Sequence, residues 1–241
     1  MSVVLAYVSE NISLISTDTR ITYGNSITHT ISHSDDNRKL YNLKNLGWVA
    51  GVGASTFIDI FKEKISSTEI HYVDQLKDIF QECYMETQKL SIYSKEILDI
   101  TGIVASWKGL SNNGVKLRVG VFNKEFVQSA SEGLPIVENN NIFILPPYSF
   151  IKSPKLMEDL NNEFSFYYEW DSKMYTLLEK IIEIQKYVTY KADSVSHFCE
   201  IGMEIITPEY EYEKIRVKGE LTEILNSIQN GTIINKMEYI K

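Results

Sequence analysis

Apolar and β-branched residues crowd positions 2–8 and 12–18 on either side of the polar triplet Ser9-Glu10-Asn11, which predicts two strands joined by a turn. Positions 21–36 are instead rich in Thr, Ser, Asn and His, with Gly24-Asn25 and Asp35-Asp36-Asn37 as breakers. This predicts a loop with a short strand at 26–31. Two further strands are predicted at 38–43 and 46–52, joined at Lys44-Asn45. Ser55 then reads as the N-cap of a helix carrying Phe57, Ile58, Ile60, Phe61 and Ile65. A longer helix is predicted over 73–98, where Leu76, Ile79, Phe80, Cys83, Leu90 and Tyr93 keep to one face.

Strands at 101–107 and 115–122 flank the turn signal Ser111-Asn112-Asn113-Gly114. More strands follow at 125–131 and 141–146, ended by Pro146-Pro147, while 154–170 fits helix or loop. Met174, Leu177, Leu178, Ile181, Ile182 and Tyr187 predict an amphipathic helix over 173–190. After a polar junction at 191–197 come strands at 198–206 and 211–217 and a helix at 219–229, which Asn230-Gly231 stops. Hairpin connections between successive strands favour an α+β fold of antiparallel sheets covered by helices over a parallel α/β sheet. No repeat or Pro/Gly/Ser-rich linker divides the chain, so 1–241 is expected to be one domain.

Charge narrows the function classes. With 24 basic against 32 acidic residues the net charge is −8, and no basic run or aromatic-basic interleave supplies a nucleic-acid footprint. The first basic residue is Arg20, unlike a secretory leader, and no apolar run approaches the roughly 18 residues a membrane span requires. The expected address is cytoplasmic. Cys83 and Cys199 read as buried thiols rather than as a disulfide framework or a metal knuckle. Gly51-Val52-Gly53 is too short for a phosphate loop, and His29 and His33 lie in a stretch where four-residue spacing carries no helical meaning. A Ser-His-Asp set can be assembled around His197 and Asp193, but no Gly-x-Ser-x-Gly elbow anchors it. No cofactor and no metal are expected.

What remains is Ser2 with Asp18, Lys39 and the Asp193/Ser196 pair. Taken singly, each has an ordinary reading as strand end, solvated charge or helix junction. If Met1 is removed, Ser2 carries a hydroxyl nucleophile and an α-amine base on one residue. In order, Ser2-Val3-Val4-Leu5, Asp18-Thr19-Arg20, Arg38-Lys39-Leu40-Tyr41, Trp48-Val49-Ala50-Gly51-Val52-Gly53 and Asp193-Ser194-Val195-Ser196 resemble the proteasome β-subunit branch of the N-terminal-nucleophile (Ntn) hydrolases over nearly the whole chain. Three departures stand out. The stretch between Asp18 and Lys39 is longer than usual, His197-Phe198 stand where glycines are expected, and Ser129-Ala130-Ser131-Glu132-Gly133 replaces a Gly-Ser-Gly turn. Ser131 is thus only a stand-in for the family's supporting serine. The nucleophile is Ser rather than the commoner Thr, without the methyl that helps fix the rotamer.

The resemblance implies a four-layer αββα sandwich of two stacked antiparallel sheets between helix layers. It implies an enzyme that hydrolyses peptide or amide bonds, with Ser2 as nucleophile, Lys39 and Asp18 supporting it, Gly51 supplying an oxyanion N–H, and Asp193 and Ser196 positioning the terminal amine. Its partners would be a peptide or protein substrate and further copies in a homo-oligomeric ring, with an ATPase partner left unspecified and neither nucleic acid nor membrane involved. Ser2 is small enough for ordinary methionine removal to expose it. A non-catalytic ring or scaffold subunit, and a small-molecule amidase on the same fold, stay open as alternatives.

Overall fold

A computed structural model describes residues 2–25, 30–35, 37–90, 95–111, 114–124, 136–137, 139–164, 174–209 and 211–240. The first two strands, β1 (Val4–Val8) and β2 (Ile12–Asp18), pair antiparallel, with Val4 opposite Thr17 and Val8 opposite Ser13. Every residue of β1 is buried. The strand alternates between two cores: Val3, Leu5 and Tyr7 face one, and Val4, Ala6 and Val8 face the other. A strand covered on both sides reads as a continuous apolar run, as this one does.

The stretch expected to be a loop with a short strand at 26–31 contains a two-stranded antiparallel sheet, β3 (Ile21–Asn25) and β4 (Thr30–Ser34), and positions 26–29 of that expected strand lie outside the described residues. This sheet is not hydrogen-bonded into either larger sheet, and its sequence lacks the apolar alternation that marks a core-facing strand. Next come β5 (Leu40–Asn42), β6 (Trp48–Val52), α1 (Ser55–Ser67), α2 (Val73–Lys89) and α3 (Lys95–Asp99). The single helix expected over 73–98 therefore ends at Lys89, and a separate turn of helix follows. Ala54, not Ser55, occupies the N-cap of α1, its amide donating to Thr101 Oγ1 at 3.1 Å.

The hairpin β7 (Gly102–Ser111) and β8 (Gly114–Asn123) is longer than expected, and Gly114 takes the positive φ (115°) its turn requires. The strand expected at 125–131 and Ser131 itself lie outside the described residues. Beyond them run β9 (Ile142–Leu145), the short α4 (Tyr148–Ile151), α5 (Pro154–Glu163) and α6 (Met174–Lys191). β10 (Phe198–Ile206), β11 (Tyr212–Glu220), α7 (Leu221–Gln229) and a final strand β12 (Met237–Ile240) complete the chain. Gly231 ends α7 with φ 74°, and the Thr232 amide returns to Ser227 O at 2.8 Å. This is the left-handed stop expected from Asn230-Gly231.

The molecule is thus a mixed α/β fold of antiparallel sheets with seven helices among the described residues. One sheet runs β12-β11-β10-β2-β1-β9 and the other β5-β6-β7-β8. Leu177, Ile181, Ile184 and Val188 of α6 pack on Leu5, Leu14, Ile201 and Met203 of the larger sheet. Phe57 and Phe61 of α1 and Phe80 of α2 pack on Val49, Ile103 and Phe122 of the smaller one. A third core joins Val4, Ala6 and Ile15 to Trp48, Ala50, Val104 and Val119. The sheets thereby bring the end of β2 and the start of β5 together beside Ser2.

Candidate active site

Asp18 closes β2 with its carboxylate wholly buried. Oδ1 accepts from the Val3 amide at 3.0 Å, and Oδ2 accepts from the Arg20 amide at 2.9 Å and the Ser196 amide at 3.4 Å. Three backbone donors on one buried carboxylate compensate its lost hydration and fix its direction. The remaining partner is Lys39, whose Nζ lies 3.0 Å from Oδ2.

Lys39 sits just before β5 and is only 4% exposed. Its Nζ also donates to Ser2 Oγ at 2.5 Å and to the Arg20 carbonyl. The three acceptors take all three N–H donors of an ammonium, which is the form this nest suits. Burial nevertheless pushes the Lys39 pKa below the ordinary lysine value, with Asp18 opposing the shift. Ser2, 8% exposed, forms the end of this Asp18–Lys39–Ser2 chain and faces a cleft of about 650 Å³.

Gly51 and Gly53 line the same cleft as Ser2. Gly51 lies in β6 opposite Ile103, and a Cβ there would meet Ile58 Cδ1 at 2.5 Å. Gly53 has φ 109°, and a Cβ would meet the Thr101 Cα at 2.6 Å, where backbone must shift. Gly53→Ala is therefore expected to cost about 2–3 kcal/mol, from strain and overpacking together. Thermal unfolding should fall by about 5–10 °C on the usual scale for this chain length. A melting curve within 2 °C of the parent would contradict it.

The sequence-derived residues do not all converge. Ser2, Asp18 and Lys39 are in direct contact, and Gly51 shares their cleft. Ser196 is buried and reaches Asp18 through its amide, while its Oγ accepts from the Phe198 amide at 3.0 Å. Asp193 is exposed, and its backbone carbonyl accepts from Arg20 Nη1 at 2.6 Å. Its neighbour Ser194, rather than Asp193, lines the cleft. Sequence reasoning overlooked the partner of that arginine: Asp35 receives Arg20 Nε and Nη2 at 2.7 and 2.8 Å, a bidentate pair. The Arg20 guanidinium holds the Asp35 carboxyl below the usual range, with a smaller contribution from the Ser196 hydroxyl. Asp35 was hidden because its stretch reads as loop. Tyr41 also faces the cleft, its ring flanked by Arg38 at 5.7 Å and Lys62 at 5.8 Å.

Cys83 and Cys199 are both buried and free, and burial raises the Cys83 thiol to about 12, far from nucleophilic use. Among the described residues, no group of three or more His, Cys, Asp or Glu side chains is placed to hold a metal ion. Among them also, no helix is long and apolar enough to cross a membrane.

No protein-family model matches the chain, and no curated protein sequence matches it. Solved structures do. A Gly-1 mutant of Anbu from Hyphomicrobium sp. strain MC1 superposes with TM-score 0.57 at 9% identity, covering 96% of this chain and 96% of that one. Anbu from the same strain, in another crystal form, gives TM-score 0.56 at 9% identity over 95% of this chain and 92% of that one. The chain therefore has the fold of Anbu.

Proposed function

We propose that the protein is an N-terminal serine amide hydrolase, a proteasome-like peptidase subunit that acts through Ser2 once Met1 is removed. The observation that carries this reading is the buried Asp18–Lys39–Ser2 chain opening onto a cleft. The proposal includes a single domain over 1–241 built as a four-layer αββα sandwich, a reading supported by the three stacked cores.

In the proposed reaction, Ser2 Oγ attacks the amide carbonyl and its proton passes to the α-amine, directly or through a water. Lys39, charged beside Asp18, stabilises the developing alkoxide. The Gly51 N–H stabilises the tetrahedral oxyanion, a donor worth about 3–4 kcal/mol in other hydrolases. As the C–N bond breaks, the leaving amine takes the proton and an acyl ester remains on Ser2. Water attacks that ester with the Ser2 α-amine as base, releasing the acid and restoring the hydroxyl. Ser196 supports this geometry through Asp18, and Asp193 through Arg20. Substrates are peptides or proteins, and the working form is a homo-oligomeric ring, for which native mass spectrometry is the direct test. The complete Ser2–Lys39–Asp18 set favours catalysis over a purely scaffolding role.

The rate of Ser2 acylation should follow a bell-shaped pH profile. Its acid limb reports the α-amine, whose ordinary pKa is about 7.7–8.0. Its alkaline limb reports loss of the Lys39 proton. Because burial lowers the Lys39 pKa from 10.5, that limb falls below the ordinary lysine value. A profile still rising at pH 10.5 would contradict the role given to Lys39.

A further inference from the structure

The face of β10 turned toward the smaller sheet reads Glu200, Gly202, Glu204, and that of β11 reads Lys214, Arg216, Lys218. Much of the rest of this inter-sheet layer is apolar, with Val4, Ala6, Ile15 and Val119, while Ser13, Thr17 and Ser106 add uncharged polar groups. Both glutamates are wholly buried. Burying such charges costs several kcal/mol per ion, and an apolar pair of like volume would pack at least as favourably. Stability alone gives no reason for them here, but their contacts do.

Glu200 Oε1 pairs with Arg216 Nη2, and its Oε2 accepts from the Leu40 amide at 3.4 Å. Leu40 immediately follows Lys39, and β5 is the edge strand of its sheet. The carbonyl of Leu40 accepts from Arg38 Nε at 3.0 Å, so side chains hold both of its polar backbone groups. On its own sheet Glu200 sits beside Cys199, the residue paired with Asp18. One side chain thus bridges the strand next to Asp18 and the strand next to Lys39.

A second set of contacts repeats this at the far end of the β5–β6 hairpin. Lys214 Nζ donates to Asn42 Oδ1 and Leu43 O, each at 3.0 Å. Glu204 accepts from Ser13 Oγ at 2.7 Å and from the Tyr212 hydroxyl, which lies 3.3 Å from the Leu46 carbonyl. Between the two glutamates, Trp48 lies on Gly202, where a Cβ would meet its indole at 2.3 Å.

We propose that Glu200 is a positioning residue: with Arg216 it clamps the Leu40 amide of the smaller sheet to β10 of the larger one, and so sets Lys39 against Ser2 and Asp18. The inference rests on the catalytic reading of Ser2 and adds a residue to it. Removing both charges together tests it, because the Glu200→Met/Arg216→Met pair leaves only the half-exposed Lys218, 3.9 Å from Glu200 in the parent, without its carboxylate and is expected to fold with near-parental stability. Two readouts are taken: Ser2 acylation by a β-lactone across pH, and amide exchange in peptides covering residues 37–43 and, as an internal control, 101–107. The double variant should acylate 10- to 100-fold more slowly at saturating probe, with half-saturation unchanged and the alkaline limb displaced. Residues 37–43 should exchange at least tenfold faster while 101–107 stay protected. Glu200→Gln, which keeps an acceptor for the Leu40 amide, should retain more of the parental exchange pattern than Glu200→Met. Parental acylation, pH profile and exchange in a folded double variant would overturn the clamp. If the parent protein itself fails to acylate, the nucleophile reading falls instead, and exchange at residues 37–43 alone decides the clamp.

Discussion

Ser2→Ala is expected to remove amide hydrolysis by about 10⁴- to 10⁶-fold, the range seen when the nucleophile of a serine hydrolase is deleted. The loss should be almost purely chemical. Ser2 is a small residue at the edge of the cleft, and its hydroxyl accepts one hydrogen bond from Lys39. Alanine leaves that Lys39 donor facing the cleft, at a cost of about 1 kcal/mol. The melting temperature should therefore stay within about 4 °C of the parent. A fluorogenic peptide amide reads the activity, and circular dichroism reads the fold. Full activity in Ser2→Ala would move the nucleophile elsewhere.

Lys39→Met should damage both function and stability. At about 4 Å and an effective dielectric near 20, a unit charge stabilises an alkoxide by about 4 kcal/mol. Its loss is expected to slow acylation by about 10³-fold. The same substitution leaves Asp18 buried with three amide donors but no cation, a defect worth about 3–5 kcal/mol. Unfolding should then shift down by about 10 °C. Lys39→Met/Asp18→Asn separates the two effects: removing both charges should recover most of the stability and none of the rate. Recovery of the rate would show that Lys39 serves the fold and not the chemistry.

The parts of the fold legible in the sequence were those facing a core. β1 and β2 stand out because both faces are covered, and α6 because Leu177, Leu178, Ile181 and Ile182 repeat at helical spacing. The β3–β4 pair was legible only as a short strand at 26–31 in a loop, since a sheet not hydrogen-bonded into the main ones leaves a polar pattern that resembles a loop. The break after Lys89 was also hidden, because apolar spacing continues through it to Tyr93. At the site, Asp18, Lys39 and Gly51 were nameable through resemblance to a known pattern of short motifs. Glu200 was not. Its meaning depends on a contact with a residue 160 positions away, and only the stacking of two sheets creates that contact. Asp193 shows the opposite limit: the motif position was expected to position the terminal amine, whereas its carbonyl accepts from Arg20 and its side chain is exposed.

The intact mass of the purified protein, with and without a peptide epoxyketone, tests the Ser2 hydroxyl and α-amine together. Such a probe offers a ketone to a hydroxyl and an epoxide to an amine, so a stable ring adduct requires both on one residue. The expected mass is that of a chain beginning at Ser2 with one probe added, and with no addition in Ser2→Ala. A mass that retains Met1, or an adduct that persists in Ser2→Ala, would contradict it.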